Sequence, residues 1–309
     1  MGVLMTGAGR DKTKLATAGA LISNLIFGLS FMASRIALEH TSSAIMLSLR
    51  FAASVLIMLL LALTGIIKMD FRGKNVKNLL LLGLFQPIIY FICEANGIRL
   101  TNSSFAGIMI SLIPVVTAIG SGIFLHEKPP KSAYLWILCS IAGVAVISLS
   151  QAGDGVVQPA GILLLVLAVV AGAGFTLCSR SMADEFTAFE RTFVMMVMGF
   201  VFFSIAAAVQ EGGAFVPLMK EAVSDKYVML PILYLSLLSS VVAFGMLNYS
   251  VTYLDAAKVT VFSNIIPVVS LMAGVLVLGE PFSAVYLLGV VLILLGVYKV
   301  STMENAESL

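Results

Sequence analysis

Glu94 is the only acidic residue well inside an apolar stretch of this sequence. A carboxylate at the centre of a membrane-embedded helix costs about 2.5–3.5 kcal/mol on insertion scales, so it is kept neutral, paired or wet. Two roles follow. Glu94 could face an internal cavity, where it would bind a substrate amino group or carry a proton. Alternatively, it could pair with Arg50, which lies at a similar depth in the preceding apolar run. Glu94 is about 9 Å from the end of its run at 1.5 Å per residue. Arg50 is read as structural, close enough to an interface to snorkel.

Amides and prolines are the other polar interruptions. Asn24, Asn96 and Asn248 sit in apolar runs, where amides either touch a substrate or join helices, worth about 1 kcal/mol as glue. Tyr90, Phe91 and Tyr249 could line a cavity or pack. Pro114 and Pro267 interrupt two apolar runs, each in the tetrapeptide Ile-Pro-Val-Val. A proline inside a helix removes a backbone donor and frees a carbonyl. In lipid that is tolerated where the kink faces protein or a wet cavity. The expected binding set is Asn24, Tyr90, Glu94, Ser111, Pro114, Asn248, Asn264 and Pro267. The alternative for the proline pair is a bend needed only for packing.

These residues sit in a chain of 309 residues that is 60% hydrophobic and 11% charged. A soluble domain of that size could not solvate such a surface. Apolar runs of membrane-spanning length follow one another almost without pause. Ten spans are expected, near 15–38, 45–67, 78–99, 103–125, 133–150, 160–182, 189–209, 228–253, 257–278 and 283–300. Strands are excluded, because the runs are continuous rather than alternating and each must satisfy its own backbone in lipid. Cys93, Cys139 and Cys178 lack metal-ligand spacing and read as small buried side chains.

Lys and Arg alternate between the two sets of loops. One set holds Arg10, Lys12, Lys14, Lys68, Arg72, Lys74, Lys77, Lys128, Lys131, Arg180, Arg191, Lys258 and Lys299. The other holds Arg35, Arg99, Lys220 and Lys226. Both termini are therefore expected in the cytoplasm, with the chain a multi-pass protein of the cell membrane.

The chain also repeats itself. Pro114 leads to Glu127 and to Gly143-Val144, and Pro267 leads to Glu280 and to Gly296-Val297, all at one spacing. Ser34-Arg35 is echoed more faintly by Ser179-Arg180. The fold expected is an all-α membrane protein, ten transmembrane helices as two inverted five-helix repeats over 15–150 and 160–300, with tails at 1–14 and 301–309. Glu127 and Glu280, at helix ends, read as caps.

The sequence resembles the EamA family of the drug/metabolite transporter superfamily over nearly its whole length. The resemblance rests on Phe27-Gly28 with Ser30-Phe31, on Arg50-Phe51, on Pro114 and Pro267, and on Glu280 followed by Leu288-Gly289 and Leu295-Gly296-Val297. Phe27 departs from the Trp common there, and Thr41-Ser42-Ser43-Ala44 replaces a loop that often contains Pro. The resemblance implies an exporter or exchanger of small metabolites, often amino acids or related compounds. It also implies a central cavity lined by spans one, three, four, six, eight and nine.

The expected partners are a small-molecule substrate and the lipid bilayer, with protons open as a coupling ion. A drug-like cation is the alternative substrate, and a membrane-embedded lipid-handling protein or sensor the alternative class. There is no GxxxxGK[ST], no HExxH and no serine with a visible base, so the sequence points to no ATPase, no metal site, no cofactor and no catalytic residue. The loops are too short for a nucleic-acid-binding domain.

Overall fold

The computed structural model describes residues 7–124, 131–152, 157–254, 259, 262–280, 282 and 284–307. Among these residues the protein is all-helical, with no strand. His126, Glu127, Lys128, Asp154 and Lys258 lie outside the described residues.

Its helices are α1 (Gly7–His40), α2 (Ser43–Leu63), α3 (Lys77–Gly83), α4 (Tyr90–Leu100), α5 (Ser103–Ile110), α6 (Ile113–Phe124) and α7 (Lys131–Ala152). They continue as α8 (Pro159–Ser181), α9 (Ala188–Glu211), α10 (Phe215–Ser224), α11 (Lys226–Leu233), α12 (Phe244–Tyr253), α13 (Ile265–Leu278) and α14 (Ala284–Glu307). Among the described residues six stretches are long and apolar enough to cross a membrane: Lys12–His40, Ser43–Leu63, Leu79–Leu100, Pro159–Ser181, Ala188–Ser224 and Lys226–Tyr253. Ser103–Thr117, Ile265–Leu278 and Ala284–Gly296 are apolar but shorter.

Two of the long stretches widen into π-helical turns, at Leu84–Ile89 between α3 and α4 and at Tyr234–Ala243 between α11 and α12. The first has a visible cause. Pro87 has no N–H for the ladder, and Gln86 leaves the helical region at φ −147°, ψ 115°. Such turns commonly mark functional sites.

The prolines of the repeated tetrapeptide do not kink the middle of a helix. The chain breaks at Ser111 and Leu112, and Pro114 falls in the first turn of α6. Pro267 falls in the first turn of α13, after a 3₁₀ turn at Phe262–Asn264. In a first turn the missing N–H has no intrahelical partner to lose. The expected single span at 103–125 is therefore two helices.

Helices α7 and α14 lie against each other through small residues. A Cβ at Gly143 would stand 2.6 Å from the Gly289 carbonyl oxygen, and one at Gly289 would stand 2.7 Å from that of Gly143. No larger residue fits that contact without moving a backbone. Elsewhere α2 packs on α9, α4 on α8, and α1 on α12 and α13. Large apolar side chains remain on the outside, among them Leu56, Leu63, Leu138, Leu163, Leu230 and Leu276. That outer belt suits a lipid solvent.

Glu280 caps α5. Its carboxylate accepts from the Ser103 N–H at 2.8 Å and Oγ at 2.6 Å, from the Ser104 N–H at 3.0 Å, and from the Ser104 hydroxyl. Negative charge at a helix start meets unpaired N–H groups and the positive end of the dipole. Thr187 and Glu190 form a reciprocal cap on α9, and Glu190 also accepts from Lys74 Nζ at 2.6 Å.

Candidate functional site

A central cavity with about 740 Å³ of atom-free volume, its mouth included, lies between the helices. Residues from α1, α2, the first π turn, α4, α5 and α6 line it, together with residues from α8, the second π turn, α12 and α13. The α2 residue is Arg50. It is 2% exposed and reaches no interface, which overturns the snorkelling expectation. Arg50 Nε donates to Ser240 Oγ at 2.9 Å and Nη2 donates to Ser239 Oγ at 3.0 Å, both from the second π stretch. The guanidinium carbon stands 4.3 Å from the Phe91 ring centroid, within cation–π range. Its Nη1 has no hydrogen-bond partner among the described residues.

Glu94 lines the same cavity and is buried. It accepts one long hydrogen bond, from the Tyr90 hydroxyl to Oε1 at 3.3 Å, and Oε2 has none among the described residues. Glu94 and Arg50 do not form a contact ion pair. A buried carboxylate and a buried guanidinium thus share one cavity with polar atoms to spare, although burying charge costs several kcal/mol per ion unless it is satisfied.

Asn24 and Tyr90 also line the cavity. Asn24 Nδ2 donates to the Ala20 carbonyl at 2.7 Å, and its own oxygen has no partner among the described residues. Four other expected residues lie away from the lining. Ser111 is buried, with its hydroxyl donating to the Ile108 carbonyl at 2.6 Å. Pro114 and Pro267 stand beside lining residues, Ile113 and Ile266, without joining them. Asn248 belongs to a separate buried cluster. Its Oδ1 accepts from Ser179 Oγ at 2.7 Å and its Nδ2 donates to Thr192 Oγ1 at 2.9 Å. The side chain of Asn264 is outside the described residues.

That buried cluster is organised by Arg191, which is not a loop charge as its place in the sequence suggested. It is fully buried in the first turn of α9. Nη1 donates to the Ser179 carbonyl at 2.6 Å and hydroxyl at 2.7 Å, and Nη2 to the Asn248 carbonyl at 2.9 Å and Thr252 Oγ1 at 2.6 Å.

Most of the cavity lining falls into pairs at constant sequence separation. Phe27 and Gly172, Ser30 and Phe175, and Phe31 and Thr176 are each 145 residues apart, the separation of Ser34-Arg35 from Ser179-Arg180. Gln86 and Ser239, Phe91 and Phe244, Glu94 and Leu247, Ile110 and Ser263, and Ile113 and Ile266 are each 153 apart, the separation of Pro114 from Pro267. The same register governs two clasps outside the cavity. Arg35 Nη1 donates to the Ile98 carbonyl at 3.1 Å and Arg180 Nη1 to the Val251 carbonyl at 3.0 Å, and these two acceptors are again 153 apart. Asn24, Arg50, Tyr90 and Val259 have no lining counterpart.

The EamA-like transporter family model matches residues 14–149 and 159–302. The chain belongs to that family. It is 31% identical over 291 residues to the uncharacterized transporter YcxC of Bacillus subtilis (strain 168), covering 91% of each chain. An uncharacterized transporter of Archaeoglobus fulgidus is 28% identical over 278 residues, covering 89% of this chain and 94% of the relative. One solved crystal structure superposes with a TM-score of 0.69 at 15% identity, over 95% of this chain and 99% of the other, which shows a shared fold. The protein is a multi-pass membrane transporter of this family.

Proposed function

We propose that the protein is a secondary transporter that exports or exchanges a small polar metabolite, an amino acid or related compound, by alternating access. The observation that carries the substrate class is a carboxylate and a guanidinium, Glu94 and Arg50, lining one cavity without neutralising each other. A zwitterion supplies the missing partner of each. An ammonium group meets Glu94 and a carboxylate meets the unspent N–H groups of Arg50. Asn24 and Gln86 add amide donors and acceptors beside them.

The architecture proposed is ten spans in two inverted five-helix halves with both termini in the cytoplasm. Supporting the repeat are the paired lining residues, the two arginine clasps, and the two π turns, whose positions correspond at the 153-residue separation. Supporting the orientation is the alternation of Lys and Arg between loops. Transporters built this way hold the substrate near the midplane between halves. Glu94 is the group on which proton coupling would act.

A drug-like cation is the second reading, favoured by Glu94 together with the rings of Phe27, Phe91 and Phe244. Arg50 in the same wall repels such a ligand. Counterflow of a labelled amino-acid panel and of a quaternary ammonium dye in proteoliposomes separates the two. The first reading expects transient accumulation of at least one amino acid, lost in Glu94→Gln, and none of the dye. Accumulation of the dye alone would sink it. An imposed pH gradient that leaves net uptake unchanged would remove the proton from the mechanism.

A further inference from the structure

Gln86 is a polar side chain of the cavity that the protein itself does not use. It is 5% exposed and lines the cavity, yet neither its amide oxygen nor its amide nitrogen has a hydrogen-bond partner among the described residues. A buried polar group left unpaired loses the full cost of its desolvation. Its register counterpart shows the contrast. Ser239, 153 residues on, also lies in a π stretch and also lines the cavity, and it accepts from Arg50 Nη2 at 3.0 Å. The hydroxyl of one π stretch is thus engaged by a protein cation, and the amide of the other is left to the cavity.

The backbone sets the level of that amide. Gln86 leaves the helical region inside the turn Leu84–Ile89, and α4 begins at Tyr90. Gln86, Tyr90, Phe91 and Glu94 line the cavity in chain order. Gln86 and Glu94 are eight residues apart, about 12 Å along a helix at 1.5 Å per residue. A hydrogen bond of about 2.9 Å at each end leaves about 6 Å to be bridged. Extended chain advances about 1.2–1.3 Å per bond, so about five bonds span that gap. Five bonds separate the amino nitrogen of glutamine from its side-chain amide nitrogen.

The chemistry of the tail follows from Gln86 itself. An uncharged amide both donates and accepts, so its complement is another neutral group that does both. An apolar tail of equal length leaves Gln86 unpaired, and sites built to hydrogen-bond a substrate reject the analogue that cannot. A cationic tail is buried beside an amide that carries no counter-charge.

We infer that Gln86 is a specificity-determining residue, which pairs with a carboxamide or ureido group at the end of the substrate's side chain while Glu94 and Arg50 hold the zwitterionic end. The inference rests on the transport reading above and narrows it to amino acids with a neutral, hydrogen-bonding tail of about glutamine's length. Water held on Gln86 in place of the tail would let methionine bind as well as glutamine, so the comparison of those two decides.

The test is counterflow in proteoliposomes with labelled glutamine, methionine and lysine, for the full chain and for Gln86→Met. Glutamine and methionine match in chain length and differ in the terminal group. The full chain should accumulate glutamine at least tenfold over methionine and over lysine. Gln86→Met should lower glutamine and raise methionine until the two lie within twofold. Methionine within twofold of glutamine in the full chain, or lysine above glutamine, overturns the inference and leaves amino-acid transport standing. So does a Gln86→Met protein, monodisperse by size exclusion, that keeps the glutamine preference, and so does accumulation of other amino acids without glutamine. Failure of every labelled amino acid to accumulate removes the transport reading itself. The comparison within the full chain decides the inference even where the variant does not fold.

Discussion

Phe91 and Phe244 occupy the same register position, 153 residues apart, and their rings meet edge-on at 6.2 Å in the cavity lining. Phe91 also lies under the Arg50 guanidinium, 4.3 Å from its central carbon. A single ring thus supports the buried cation on one side and joins the two halves on the other.

Arg50→Lys tests how that cation is held. Lysine keeps the charge but has neither the planar face that stacks on Phe91 nor the fork that engages Ser239 and Ser240 together. Counterflow should fall at least tenfold, with melting in detergent lowered by only a few degrees. Unchanged counterflow would return Arg50 to a purely structural role.

Glu94→Gln removes a buried carboxylate that accepts one long hydrogen bond. Unsatisfied buried charge costs stability, so the variant should melt at or slightly above the parent temperature, a gain of about 0–2 kcal/mol. Accumulation of amino acids should be lost. A marked drop in melting temperature would show that Glu94 is a structural partner instead.

Glu280→Ala removes the carboxylate that satisfies both backbone and side-chain donors of Ser103 and Ser104 at the start of α5, while Asn102 still accepts from the Phe105 N–H. Loss of a cap of this kind costs about 1–2 kcal/mol. The destabilisation should appear in thermal or denaturant unfolding, and Glu280→Gln should recover part of it. Equal stability of all three proteins would argue that water replaces the cap at no cost.

Arg191→Met should be the most disruptive of the set. It leaves Ser179, Asn248 and Thr252 without their shared donor. Each buried acceptor left unsatisfied costs about 1–3 kcal/mol, read as a loss of folded protein by size-exclusion chromatography. Substrate preference in whatever protein survives should be unchanged, because Arg191 does not line the cavity. A changed preference would connect the cluster to substrate recognition.

The chemistry of the first half was legible from the sequence to the extent that it stood out against an apolar background. Glu94, Tyr90 and Asn24 could be picked out this way, and the structure places all three on the cavity. Arg50 was misjudged because distance along a helix says how far a residue lies from the end, not whether lipid or protein surrounds it. Its hydroxyl partners, Ser239 and Ser240, lie far along the chain. Arg191 was hidden for the same reason, as its network joins α8, α9 and α12. The two prolines were visible, but the break before them was not. A proline in a helix interior and a proline in a restarted first turn look alike until the hydrogen bonds are traced. Of the aromatic lining, Tyr90 and Phe91 were legible, but Phe27, Phe31, Phe175 and Phe244 were not, since nineteen phenylalanines are spread through apolar segments where packing and lining share one composition.

The paired lining has a consequence for the energy of the cycle. A carrier that must face both sides of a membrane works only when neither facing is much more stable than the other. Moving a two-state population from one side to the other at 99:1 takes about 5.5 kcal/mol of differential binding. Under the alternating-access proposal, reversing the facing exchanges the surroundings of Phe27 with those of Gly172, and of Ile113 with those of Ile266. Where the exchanged residues are alike, the two facings cost nearly the same. Only Phe91/Phe244 and Ile113/Ile266 are alike, so the imbalance falls on the other six pairs, Glu94 and Leu247 among them. Those positions therefore set which way an empty carrier rests as well as what it holds.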